Sequence, residues 1–266
     1  MTVRRLALAG GLALALLAPV APATAMTAPA TDPSAVRVTA RTVASAAVAT
    51  TTVYARRIPG VGRYRVPISV RQVIVVSATT WRMTYGTVSL FQRTATGWHL
   101  SARWSARLGY GGLVIASKRV QDTGTTPAGA FRITESFGRL SNPGTRLPYT
   151  KVTMDHWWVE DRRSAYYNDM RRGSRGGFLL RTTGYNSSER LATMGTQYDY
   201  AAVIDFNRPN PVIGRGAGIF LHAFGKGATG GCVSIRHDRM AAMLRWLNPA
   251  AYPRILIGED NWLAGS

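Results

Sequence analysis

Leu221-His-Ala-Phe-Gly-Lys-Gly-Ala-Thr-Gly-Gly-Cys-Val-Ser-Ile235 reads as a strand, a glycine-rich reversal and a second apolar segment. The strand spans Gly218 to His222, and the nine residues after His222 include four glycines, enough freedom to fold back and bring Cys232 beside the imidazole. Strand signals recur on both sides of this stretch. Short β-branched and aromatic runs punctuated by Gly, Pro and Asn occur at Arg71–Ser77, Gly86–Arg93, Trp98–Trp104, Ala130–Thr134, Tyr200–Asp205 and Arg254–Ile257. Thr94-Ala-Thr-Gly97 joins two of them as a hairpin loop. One amphipathic helix stands out, from about His237 to Leu247, with Met240, Met243, Leu244 and Leu247 on one face and Asn248-Pro249 as the stop. The pattern predicts a mainly β domain with few helices.

Cys232 is the sole cysteine, so no internal disulfide is open to it. An unpaired thiol next to a histidine is a nucleophile with its base. A free thiol is only a few per cent ionised near neutrality; lowering its pKa by two units amounts to ~2.7 kcal/mol, which a neighbouring imidazolium can supply. Gly230 and Gly231 let the backbone approach a carbonyl, so that the Gly231 and Cys232 amides point at a developing oxyanion, an interaction worth ~10² to 10³ in rate. Together these elements describe acyl transfer. The competing reading is a small buried cysteine and a strand histidine with a satisfied hydrogen bond.

Arg4 and Arg5, the apolar run Leu6–Val20 and Ala23-Thr24-Ala25 have the form of a cleavable export segment over residues 1–25. Gly10, Gly11 and Pro19 disfavour an uncleaved anchor, so no stable membrane span is expected after cleavage, and Leu6-Ala7-Leu8 suits general secretion better than twin-arginine export. Residues 26–55, rich in Ala, Thr, Val, Ser and Pro, read as a flexible linker, and 56–266 as one domain with a sizeable core. Lys and Arg number 33 against 13 Asp and Glu, a net charge of +20, or +18 once Arg4 and Arg5 are removed. Such a balance implies an anionic partner. For an exported chain that means wall polymers or lipid head groups; nucleic acid fits the charge equally but no helix-turn-helix, zinc-finger or RNA-binding signature accompanies it. His99, His156 and His237 lack metal-ligand spacing.

Residues 218–236 resemble the active-site signature of the L,D-transpeptidase, or YkuD-like, family: a strand-borne histidine, then Ser or Thr, one variable residue, Gly, Cys and an aliphatic residue. Thr125-Thr-Pro-Ala-Gly-Ala-Phe-Arg-Ile133 resembles the family's Thr-Pro-x-Gly-x-Phe strand motif. Asp155-His-Trp-Trp-Val-Glu-Asp161 and Ser164-Ala-Tyr-Tyr-Asn168 are similar to a block in a secreted branch. The resemblance covers about residues 71–258 and departs from better-known members in its short His222–Cys232 loop and in Ser234.

It implies a YkuD-like β-sandwich with few short helices, acting on peptidoglycan stem peptides without metal or organic cofactor. Cys232 would attack the bond before the terminal D-Ala of a tetrapeptide stem, and an amine of a second stem would resolve the thioester into a 3-3 cross-link. Water in place of the amine makes a carboxypeptidase or endopeptidase; a non-catalytic wall-binding protein is the other class. The resemblance also implies that the Ala223 carbonyl orients His222, with Asp205 and Asp238 as side-chain alternatives, and that carbapenems acylate Cys232. Thr229, Gly230, Lys226 and Arg236 are candidate substrate contacts, and Trp158 and Tyr167, with Trp157 and Tyr166, a candidate wall over the cleft.

Overall fold

The computed structural model describes residue 55 and residues 57–266. The export segment 1–25 and, Ala55 apart, the linker 26–55 lie outside the described residues, as does Arg56. The strands are β1 (Gln72–Ala78), β2 (Tyr85–Thr94), β3 (Gly97–Arg107), β4 (Leu113–Ile115), β5 (Thr126–Gly138), β6 (Tyr149–Lys151), β7 (His156–Trp158), β8 (Met170–Arg172), β9 (Glu189–Arg190), β10 (Ala201–Ile204), β11 (Phe220–Ala223), β12 (Val233–Ile235) and β13 (Arg254–Glu259). Two α-helices occur among the described residues, α1 (His237–Trp246) and α2 (Asp260–Ala264). The fold is mainly β, as the sequence predicts.

Ten strands form one sheet whose neighbours run β10-β11-β12-β3-β2-β1-β13-β5-β4, with β6 on β5. Because β5 also pairs with β10, the hydrogen-bonding path returns to its start and the long strand β5 carries two neighbours of the site. The centre is the parallel pair β1–β13, Val73 to Ala78 against Arg254 to Glu259. Its strands are apolar on both faces because both are covered. Ile74 and Val76 join Val88, Leu90, Ile255 and Ile257 in the main core, whereas Val73 and Val75 pack with Phe91, Leu256 and Leu263. The β2–β3 hairpin turns over Ala95-Thr96, since Thr94 and Gly97 are already paired, so the loop is shorter than the four residues the sequence suggests.

Alternation along β10 and β11 divides core from site. Ala202, Ile204, Leu221, Ala223, Val233 and Ile235 face the main core, where Met240, Met243 and Leu244 of α1 cover them. Ala201, Val203, Phe220 and Cys232 face the other way, onto Phe137, Trp158, Tyr167 and Tyr198. Helix α1 matches its predicted span to within a residue, with Leu247 as its C-cap. A separate three-stranded sheet, β8-β7-β9, packs on that second face, a feature the sequence reading did not assign to strands.

Candidate active site

Strands β11 and β12 run parallel with His222 opposite Ser234, and the glycine loop between them is pinned at its far end. The Thr229 amide donates to the Leu108 carbonyl and the Tyr110 amide to the Thr229 carbonyl, both at 2.9 Å. The Thr229 hydroxyl donates to the Cys232 carbonyl at 2.6 Å and accepts the Gly231 N–H at 3.1 Å. Thr126 Oγ1 accepts the Gly109 amide at 2.8 Å and reaches the same Cys232 carbonyl at 3.4 Å. Gly231 has φ of 137°, and a Cβ there would sit 2.8 Å from both Arg119 Nη2 and the Thr125 carbonyl. Only glycine fits this turn.

Cys232 and His222, 7% and 4% exposed, line the floor of one cavity of about 370 Å³. Cys232 Sγ donates to the Gly218 carbonyl and accepts the Phe220 amide, each at 3.3 Å. His222 Nδ1 lies 2.7 Å from the Ala223 carbonyl. A carbonyl accepts only, so Nδ1 carries the proton and the Nε2 lone pair is left to act as a base. Burial lowers the imidazole pKa to about 4, the Ala223 hydrogen bond opposing it. Burial pushes the Cys232 thiol up, with Glu189 adding to the shift, while the Phe220 amide and Arg119 oppose it. The resting pair is therefore neutral thiol and neutral imidazole. This runs against the sequence-based expectation of an imidazolium holding a thiolate, because burial disfavours both charges.

The Gly231 N–H is directed at Thr229 Oγ1, so of the two amides expected at the oxyanion, that of Gly231 is already engaged; its residue contributes through conformation instead. Thr229, Gly230 and Lys226 line the cavity, Lys226 exposed at its mouth. Arg236 does not: it caps α1, pairs with Asp238 at 3.1 Å and lines a shallow depression with Trp104, Phe224 and Arg239. Trp158 is a corrected expectation too, since it is fully buried with its indole N–H on Asn168 Oδ1 at 3.1 Å. Tyr167 is 3% exposed and backs the wall, donating to Gln121 Oε1 at 2.6 Å. Trp157 is buried in β7, and Tyr166 stacks on the Arg171 guanidinium. Asp205 accepts from Thr134 Oγ1 and pairs with Arg208, and Asp238 begins α1, so neither carboxylate is a partner of His222.

The sequence reading missed four groups that line the cavity. Tyr198 meets the His222 ring edge-on at 5.3 Å and donates to Glu189 Oε2 at 2.6 Å. Glu160 and Glu189, from the ends of the three-stranded sheet, present two carboxyls, and Arg119 a guanidinium. Among 30 arginines nothing in the sequence marks Arg119 except its place six residues before the Thr125 motif. Burial raises both carboxyl pKa values, that of Glu189 to about 7. A folded-state pKa above the ordinary 4.5 means that the associated stability is fully present below about pH 4.5 and is lost as pH rises through about 7. Glu189→Gln is accordingly expected to flatten the decline in urea midpoint between pH 5 and pH 8; an unchanged slope would show that another group controls it. Among the described residues no group of three or more His, Cys, Asp or Glu is gathered as for a metal, and no helix is long and apolar enough to cross a membrane.

A thiol and an imidazole at the floor of a cavity in a closed β-sheet define a cysteine–histidine domain of mainly β class. The family model of YkuD, the L,D-transpeptidase catalytic domain, matches residues 71–257, and the chain belongs to this family. Among solved structures it is similar to Bd1075 of Bdellovibrio bacteriovorus, at 16% identity and a TM-score of 0.36, covering 78% of this chain and 52% of that one. It is also similar to L,D-transpeptidase 1 of Mycobacterium tuberculosis, at 14% identity and a TM-score of 0.30, covering 70% of this chain and 62% of that one. The chain thus spans between half and two thirds of the length of these two structures. A search of curated proteins finds no significant match.

Proposed function

We propose that this domain is a cysteine-dependent peptidoglycan L,D-transpeptidase of the exported compartment. The observation that carries the reading is the fixed tautomer of His222 in the cavity of Cys232: Nδ1 bound to the Ala223 carbonyl at 2.7 Å, Nε2 left as base. As Sγ attacks the carbonyl of the third stem residue, its proton passes to His222 Nε2. The tetrahedral intermediate collapses, the C–N bond to D-Ala breaks, and the imidazolium returns the proton to the leaving amine. A thioester on Cys232 remains. The side-chain amine of a second stem then attacks the thioester, His222 takes the amine proton and delivers it to Sγ, and a 3-3 cross-link is formed. Support for the substrate comes from membership of the family; the net charge of +18 that remains without Arg4 and Arg5 suits a wall rich in anionic polymers.

Incubation of the protein with disaccharide-tetrapeptide containing diaminopimelate, followed by mass spectrometry, tests the proposal. The expected product is a dimer lacking one D-Ala, absent with Cys232→Ala. Tripeptide monomer alone would mean that water resolves the thioester and the enzyme is a carboxypeptidase; unchanged substrate would overturn the reading.

A further inference from the structure

Among the described residues Arg119 is a buried cation without an ion pair. It is 5% exposed, and its guanidinium is held by two backbone carbonyls: Nε donates to Thr125 at 2.8 Å and Nη1 to Arg215 at 3.1 Å. The carbonyls fix its position, and the Phe206 ring centroid lies 5.5 Å from the guanidinium carbon, but none of these partners carries a negative charge. Among the described residues no carboxylate stands within ion-pair distance of it, Glu160 and Asp122 acting only at longer range. A buried cation is ordinarily paired, because the desolvation cost of an isolated charge is several kcal/mol. The remaining nitrogen, Nη2, is directed along the cavity wall to Gly231, where a single added methyl would lie 2.8 Å from it. Gly231 is bonded to Cys232, so the guanidinium lies against the segment that carries the thiol.

We propose that Arg119 is a built-in counter-ion for the negative charge that develops at Cys232, first on sulfur and then on the tetrahedral oxyanion. The placement answers a need created by the site itself. The Gly231 amide is engaged by Thr229, and the other groups around the thiol are neutral or wrongly signed: His222 and Tyr198 without charge, Glu189 and Glu160 acidic. Lys226, at the exposed mouth, is screened by solvent. The Thr125-Thr-Pro motif acquires a physical reason as well, because the Thr125 carbonyl holds the Arg119 Nε while Thr126 braces the Cys232 carbonyl.

The inference rests on Cys232 being the nucleophile, yet it is testable without peptidoglycan. Alkylation of Cys232 by iodoacetamide in the full protein, followed by intact mass from pH 6 to pH 10, reads the thiolate fraction directly. Arg119→Gln keeps a donor for Thr125 but removes the charge; it is expected to slow alkylation about tenfold at each pH, equivalent to a thiol pKa about one unit higher. Arg119→Lys is expected to stay near the native rate. A purely structural role would loosen the wall and quicken alkylation instead. Equal rates in folded Arg119→Gln and native protein would overturn the proposal, as would a variant altered only in KM for the stem, which would assign Arg119 to a substrate carboxylate. Should neither variant fold, the native protein decides by its preference between iodoacetate and iodoacetamide. A ratio higher than in the urea-unfolded chain supports a cation at sulfur, and a lower ratio refutes it.

Discussion

Replacement of His222 by alanine is expected to slow acyl-enzyme formation by about 10² to 10⁴-fold while Cys232 remains present and the fold intact. The loss is large because the thiol is held protonated by its surroundings, so attack requires a base in place at the moment of reaction. In a site with a standing thiolate the histidine would matter less to the first step. The pH profile separates these cases. With a folded-state pKa of about 4, His222 is a free base across the neutral range and loses that role only as pH falls through about 4. A plot of kcat/KM for D-Ala release against pH should therefore keep its acid limb near 4. An acid limb near 6.5 would mean an imidazole far more hydrated than the 4% exposure allows, and an acid limb that survives in His222→Ala would assign the titration to another group.

The same burial explains which parts of this molecule were legible in its sequence. Strands β1, β2, β3, β10, β11 and β13 are runs of β-branched and aromatic residues bounded by turn residues, and α1 has a complete apolar stripe, so local signals agree with the tertiary outcome. Strands β7, β8 and β9 are two or three residues long and exist because of their register with each other, Trp157 against Arg171 and Arg190, which no local pattern encodes. Helix α2, five residues long, is likewise too short for periodicity. In the site, His222 and Cys232 are legible because a loop with four glycines separates the histidine of β11 from the cysteine that leads into β12. Arg119, Glu160 and Glu189 come from three separate segments and converge only in the folded chain. Arg236 and Trp158 lie outside the cleft, which the sequence does not show for a common reason: an arginine that precedes a helix and a tryptophan in a core have the same letters as those in a cleft.

Trp158→Ala should therefore act on stability. Trp158 is fully buried, packs edge-on against Phe220 at a centroid distance of 4.8 Å and donates to Asn168. Removing the indole leaves a large apolar cavity and takes one of two donors from the Asn168 oxygen, at a cost of about 3–5 kcal/mol, or roughly 6–20 °C in Tm for a domain of this size. The consequence extends to the site through two short paths. Phe220 contacts Tyr198, whose ring meets His222, and Asn168 Oδ1 also accepts the N–H of Gly218, a residue whose carbonyl accepts a hydrogen bond from the Cys232 thiol. Trp158→Phe fills most of the volume and should recover most of the stability while still lacking the hydrogen bond. Thermal melts of the two variants, beside KM measured well below their transitions, decide between support and contact. A support residue moves Tm strongly and KM little. A Trp158→Ala protein with native Tm and a KM raised tenfold would restore the tryptophan to the substrate cleft and contradict the packing described here.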